Sequence, residues 1–310
     1  MTTRIALIGF GKIARDQHQP ALATSADFDL VATVDPQLEP DPTATPARFA
    51  NFDALLASDI EVDAVALCVP PQHRFAMACR AIGAGLHVLL EKPPGITLSE
   101  VDDLQQRAVA AGTTLYASWH SRHAPAIEAA REWLSTQTVT AVEIDWREDV
   151  TVFHPGQAWI WEPGGLGVFD PGINALSIAT HVLVRPFALR EATLDVPGNC
   201  ATPIAAQLSF EDSAGAPVTA VLDFRHQGDP CWQMRVATEA GELRLEEGGG
   251  RMRVDGEVRI DEDKDEYAGV YALFANLLTE GRSETDLRPF IHVADALMLG
   301  RRRTVDDFHE

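Results

Sequence analysis

The sequence predicts two domains: an N-terminal α/β domain on a doubly wound parallel sheet, and a C-terminal α+β domain with a large, mostly antiparallel open sheet. Three observations predict this. Near-continuous apolar runs alternate with helical patterns up to about residue 122, whereas strands from Val139 onward alternate polar and apolar residues. The chain has 310 residues, more than one core usually supports. The division is drawn as 1–122 and 123–310.

In the first part the runs are Arg4–Gly9, Leu30–Val34, Asp63–Val69, His87–Leu90 and Thr114–Ser118. Strands apolar on both faces need cover on both faces, which parallel strands with crossover helices provide. The helical patterns lie at 12–23, 52–57, 72–84 and 99–111, with Gly85 and Gly112 as C-terminal stops. Pro36 to Pro46 reads as a loop. After a helix at 123–134, alternation marks Val139–Arg147, Ala205–Phe210, Pro217–Phe224, Trp232–Thr238, Glu242–Glu246 and Arg251–Ile260 as strands with one wet face. A helix at 170–181 lies among them. Helices at 267–280 and 289–303 close the chain, the last expected to pack back on the first domain. The acidic run Asp261–Glu266 reads as a solvated loop with no site.

The formal charge of −21 excludes nucleic acid and anionic membrane surfaces as partners, since both require a basic footprint. The four cysteines, Cys68, Cys79, Cys200 and Cys231, have no metal-ligand spacing, so reduced thiols and no metal are expected. No apolar run reaches membrane-spanning length and no basic leader is evident, so the expected location is the cytoplasm.

The chemistry starts at Gly9-Phe-Gly11-Lys-Ile-Ala14, directly after the first run. Gly9 permits a tight turn, Gly11 lets backbone approach a pyrophosphate, and Ala14 allows close helix packing. The free N–H groups of the helix then face an anion. Asp35 follows the second run at the spacing of a ribose acceptor. Because Pro36 comes next and no cation appears until Arg48, NAD is expected over NADP, whose 2′-phosphate a carboxylate repels.

Lys92 ends another strand, where ligands of such sheets bind, and its ammonium can favour the deprotonated form of a substrate hydroxyl. The chain has three lysines, Lys12, Lys92 and Lys264, among 25 basic residues, so a lysine in a motif draws notice. Asp170 and Asn174, four apart near a helix start, share one face; Asp170 equally suits the role of a plain N-terminal acid. The segment from Glu148 to Trp161 mixes hydrogen-bonding and aromatic side chains, Glu148, Phe153, His154 and Trp159, in a Gly- and Pro-rich stretch of the kind that carries binding residues. His18, His181 and His292 read as structural.

Together, Gly9-Phe-Gly11, Cys68-Val69-Pro70-Pro71 and Glu91-Lys92-Pro93 resemble the Gfo/Idh/MocA family of sugar dehydrogenases, which have an N-terminal Rossmann domain. Further segments, His154-Pro-Gly-Gln-Ala-Trp159-Ile-Trp161 and Val168-Phe-Asp170-Pro-Gly-Ile-Asn174, are similar to the family's bacterial L-arabinose and D-galactose 1-dehydrogenases. The resemblance implies oxidation of an aldopyranose (L-arabinose, D-galactose, D-fucose) at C1 to the lactone, with hydride passing to nicotinamide. It implies a catalytic Lys92 with Asp170 as partner. Much of the family carries histidine where Asn174 stands here; an amide takes no proton, so the base is Asp170, Lys92 or a water between them, and the role is assigned to Asp170, with Lys92 polarising the anomeric hydroxyl.

Around the cofactor the resemblance implies Gly9, Gly11, Lys12, Ile13, Asp35, Val69, Pro70, Pro71, Glu91 and Lys92. Around the sugar it adds His120 and Trp232 to Glu148, Phe153, His154, Trp159 and Asn174. It also implies a homo-oligomer formed through the C-terminal sheet. Another aldose or an inositol is the alternative substrate, and a non-catalytic dinucleotide-binding sensor the alternative class.

Overall fold

The computed structural model describes residues 2–310. They form two compact units: residues up to Trp119 with Tyr267–Asp286, and His120–Glu266 with Leu287–Glu310. The segment that rejoins the first unit is thus the helix before the last, and the last helix stays with the second.

In the first unit the six strands are β1 (Thr3–Ile8), β2 (Phe28–Val34), β3 (Ala47–Phe49), β4 (Ala64–Leu67), β5 (His87–Leu90) and β6 (Leu115–Ala117). Among the described residues they form one sheet in the order β3-β2-β1-β4-β5-β6, with parallel pairing throughout. Alternate side chains supply two cores. Ala6, Ile8, Val65, Leu67 and Val88 pack with Ala78 and Ile82 of α3 (Pro71–Gly83) and Leu104 of α4 (Leu98–Ala111). Ile5, Leu7, Ala64 and Leu89 face the other way, onto Phe28 and α8 (Glu266–Glu280).

The stripe Tyr267, Val270, Tyr271, Phe274 and Leu277 at helical spacing explains why α8 belongs here. Phe274 stacks on Phe28 at 5.6 Å. The short edge strand β3 follows the proline-rich loop, and its three residues carry too little pattern to announce it. Helix 12–24 passes through a π turn at Ala14–His18 before α1 (Gln19–Thr24). Asn51 caps α2 (Phe52–Leu56), Thr97 caps α4, and Gly112 ends α4 at φ 67°.

The second unit's sheet runs β14-β13-β12-β11-β7-β10-β9-β8-β15. Its strands are β7 (Val139–Arg147), β8 (Phe187–Pro197), β9 (Ala205–Asp212), β10 (Pro217–Asp223), β11 (Cys231–Thr238), β12 (Gly241–Glu246), β13 (Arg251–Val254), β14 (Glu257–Asp261) and β15 (Arg301–Val305). Pairing is antiparallel except for β10 with β7 and β15 with β8. In β10, Val218, Ala220 and Leu222 are buried while Pro217, Thr219 and Val221 are exposed, giving one dry and one wet face. The helices are α5 (Ile127–Leu134), preceded by a 3-10 turn at His120–His123, the short α6 (Val150–Phe153), α7 (Phe169–Val182) and α9 (Arg288–Leu299). Gly172 brings α7 close to β10: a Cβ there would stand 2.5 Å from Leu222 Cδ1.

Three sequence expectations need correction. Arg251–Ile260 is not one strand: Asp255 and Gly256, at φ 51° and 82°, turn it into the hairpin β13–β14. The closing helix stops at Leu299, and Arg301–Val305 is an edge strand tied to β8 by Arg303 Nε to Asp195 Oδ1 at 2.8 Å. The longest strand, β8, was not anticipated; its alternation slips where the register shifts between Leu189 and Glu191.

Among the described residues, no helix is long and apolar enough to cross a membrane. No group of three or more His, Cys, Asp or Glu there could hold a metal.

Candidate active site

In the first unit Gly9 sits at φ 88°, and a Cβ there would meet Val69 N and Cγ1 at 2.8 Å, so turn and packing both demand glycine. At Gly11 a Cβ would meet nothing within 4 Å, which leaves open space over the turn for a pyrophosphate. Asp35 is built into this turn. Its Oδ2 accepts the Phe10 N–H at 2.9 Å and its Oδ1 the Gln37 N–H at 2.9 Å. Each oxygen retains a lone pair for a ribose hydroxyl.

Arg48, the first cation beyond Asp35, lies on β3 and reaches back to Asp41 at 3.1 Å. The glycine-turn cation Lys12 pairs with Asp16 at 2.5 Å on the helix surface, Ile13 is half-buried behind it, and Val69, Pro70 and Pro71 lead into α3. These residues fit a nicotinamide dinucleotide.

Lys92 follows β5, half-buried, and joins Pro93 through a cis peptide. The loop is held from beneath. The Arg74 guanidinium of α3, 4 % exposed, donates to Pro93 O. Glu91, expected beside the cofactor, turns its carboxylate inward: Oε2 accepts Lys92 N–H at 2.8 Å and Oε1 accepts Tyr267 O–H at 2.7 Å. Arg74, Tyr267 and Tyr271 escaped the sequence reading. The one available signal was the i, i+4 tyrosine pair on the apolar stripe of α8.

In the second unit, Glu148 directly follows β7 and is 3 % exposed. Asp149 caps α6 through Thr151 N at 2.9 Å, which turns the chain so that His154 comes back onto Glu148. His154 Nε2 lies 2.8 Å from Glu148 Oε1, and Trp232 Nε1–H donates to Glu148 Oε2 at 2.8 Å. On its other side His154 Nδ1 stands 3.8 Å from Asp170 Oδ2.

Asp170 is 4 % exposed in the first turn of α7, where the helix dipole favours an anion. Asn174 follows one turn later, half-buried. The expected residues Glu148, His154, Asp170 and Trp232 thus form one connected array. Trp232 is itself enclosed, with Phe153 edge-on at 5.2 Å, Trp146 stacked at 6.2 Å and Lys264 Nζ 5.1 Å from its centre. Trp159 sits on the 3-10 turn Ala158–Trp161, partly exposed.

His120 Nδ1 bonds Glu266 Oε2 at 2.5 Å. Burial alone would raise the Glu266 carboxyl, but the charge and hydrogen bond of His120, with Lys264 nearby, hold it below the usual range. The acidic run read as a solvated loop therefore contains Glu266, a partner of His120, and Lys264, which faces Trp232. Next to them burial, then the charge of His120, pushes His123 down to about 4.

Comparison with known proteins gives the family. Residues 3–118 match the family model described as an oxidoreductase family with an NAD-binding Rossmann fold. A galactose 1-dehydrogenase of Pseudomonas fluorescens is 44 % identical over 307 residues, covering 99 % of each chain. The crystal structure of a D-galactose-1-dehydrogenase from Rhizobium etli matches with a TM-score of 0.93 and 47 % identity, over 99 % of this chain and 98 % of that one. A 3-ketoreductase from Actinomadura kijaniata shares the fold at 17 % identity, with a TM-score of 0.85 over 98 % of this chain and 100 % of that one. The chain belongs to the Gfo/Idh/MocA family of oxidoreductases.

Proposed function

We propose that the protein is an NAD-dependent aldose 1-dehydrogenase that oxidises D-galactose, L-arabinose and D-fucose to their lactones. The observation that carries this is the array Trp232–Glu148–His154–Asp170, whose neighbouring donors and acceptors suit a sugar's adjacent hydroxyls. It occurs in a chain similar from end to end to a galactose 1-dehydrogenase. The three sugars share their configuration from C2 to C4 and differ at C5, so one set of contacts serves all of them.

Gly9, Gly11 and Asp35 would hold the dinucleotide, which supplies the hydride acceptor when bound. Asp170 takes the proton of the C1 hydroxyl and Lys92 polarises that oxygen as the C1 hydride leaves. His154 and Glu148 orient the sugar. NAD is preferred because Asp35 repels a 2′-phosphate and Arg48 is engaged by Asp41. The wet sheet face is the proposed contact between copies, which sedimentation at falling protein concentration checks.

The test is a panel of aldoses and inositols with NAD or NADP, read by reduced-nicotinamide absorbance. Expected are turnover of the galactose-configured sugars and at least ~10-fold higher kcat/KM with NAD. Equal efficiency with both cofactors removes the assignment to NAD. No turnover on any sugar, with NAD still bound, favours a dinucleotide sensor.

A further inference from the structure

Glu91 is 2 % exposed, and the chemistry assigned to Lys92 makes no use of its carboxylate. A charge taken out of water persists only where donors replace that water. Here the donors come from three elements. Tyr267 of α8 gives its O–H to Oε1 at 2.7 Å, and His18 Nε2 approaches the same oxygen at 3.1 Å. The N–H of Lys92 itself reaches Oε2 at 2.8 Å.

His18 is wholly buried, and its Nδ1 stands 2.7 Å from the Tyr271 hydroxyl. It belongs to the π turn Ala14–His18, a device disproportionately found at functional positions, on the helix that opens at the glycine turn. The titratable groups packed around it are Cys68 beyond β4, Tyr267 and Tyr271 on α8, and Glu91 beyond β5. Burial alone would push His18 down, but Cys68, Tyr271 and Glu91 outweigh it and hold it well above its ordinary range. Burial pushes Tyr271 up to about 12, so it keeps its hydroxyl proton.

We infer that Glu91 is the positioning residue of Lys92, and that its buried bond to His18 ties the lysine's backbone to the helix that begins at the dinucleotide turn. The inference rests on the reading of Lys92 as the group that acts on the substrate. A side chain that bonds the next residue's N–H fixes where that residue's side chain starts. His18 and Tyr267 in turn leave Glu91 one orientation.

The three lysines make the test direct. Reductive methylation with ¹³C-formaldehyde gives separate NMR signals for Lys12, Lys92 and Lys264, with Lys92 assigned through Lys92→Arg. The variants are Glu91→Gln, His18→Met, which removes the donor but keeps the Glu91 charge, and His18→Gln, which keeps an N–H toward Glu91. In Glu91→Gln and His18→Met the Lys92 methyl signal moves while those of Lys12 and Lys264 stay. In unmethylated protein kcat for galactose falls ~10-fold or more and KM for NAD stays within ~3-fold. His18→Gln recovers most of the loss.

An unmoved Lys92 signal in the folded variants overturns the inference, including the case where kcat and the melting temperature fall together. If His18→Met does not fold, Tyr267→Phe, which deletes one donor at nearly constant volume, is read in the same way. Should the wild type oxidise no sugar, the proposed function fails, and the NMR comparison still decides the role of Glu91.

Discussion

His154 Nε2 and Glu148 Oε1 stand 2.8 Å apart, a contact that leaves Nδ1 as the imidazole nitrogen facing Asp170. With Trp232 holding the other Glu148 oxygen, the carboxylate cannot rotate away. Glu148→Gln places an amide where two donors converge and loses the acceptor for one of them. The expected result is a ~10- to 100-fold fall in kcat/KM for galactose with the melting temperature nearly unchanged. Steady-state kinetics within twofold of wild type would show that the ring needs no such anchor.

Asp170→Asn keeps the shape and the helix position but removes the proton acceptor. A lost general base costs ~10²- to 10⁴-fold in kcat. Sugar binding, followed by tryptophan fluorescence, should persist. If the variant retains most of its kcat, Asp170 is a helix-start acid and another group takes the proton.

His123 gives the fold a pH dependence of predictable sign. Its folded value is about 4 against an ordinary 6.5. Between those values the unfolded chain binds a proton that the folded chain refuses, so stability rises with pH and is lost as pH falls from 6.5 toward 4. Going from pH 7 to 5 this one group should cost about 2 kcal/mol. Urea unfolding at the two pH values should show a smaller difference in His123→Gln; an identical difference would acquit this residue.

Gly165 tests whether the linker acts as a unit. A Cβ there would stand 2.3 Å from Trp159 O and 2.4 Å from Ile160 O, both backbone atoms. Gly165→Ala must therefore displace the turn carrying Trp159. KM for galactose is expected to rise ~10-fold or more with NAD affinity unchanged, and a variant with wild-type KM would separate that turn from sugar binding.

Legibility in the sequence followed burial. The parallel strands announced themselves because Ile5, Leu7, Val65 and Leu89 are all inaccessible to water, leaving no polar residue to interrupt the run. Edge strand β15 could not, since Arg301, Arg302 and Arg303 are all exposed and their strand character comes from pairing with β8. Lys92 and Asp170 stood out through spacing and motif. Glu266 and Lys264 were hidden by composition: five acids around one lysine look alike in sequence, and only the fold selects the one that meets His120. His18 reads as structural from the sequence, and its partner 73 positions away leaves no local trace.

On the proposed preference for NAD, the Asp35–Phe10 bond constrains how this enzyme could be re-engineered or could drift toward NADP. The carboxylate that would repel a 2′-phosphate also braces the turn meant to receive the pyrophosphate. Exchanging it for alanine would trade selectivity for a loosened turn, a poor bargain for either cofactor. A serine keeps a short acceptor for Phe10 without the charge, so the accessible route to NADP passes through a small hydroxyl, with a new arginine beyond it that Asp41 does not already hold.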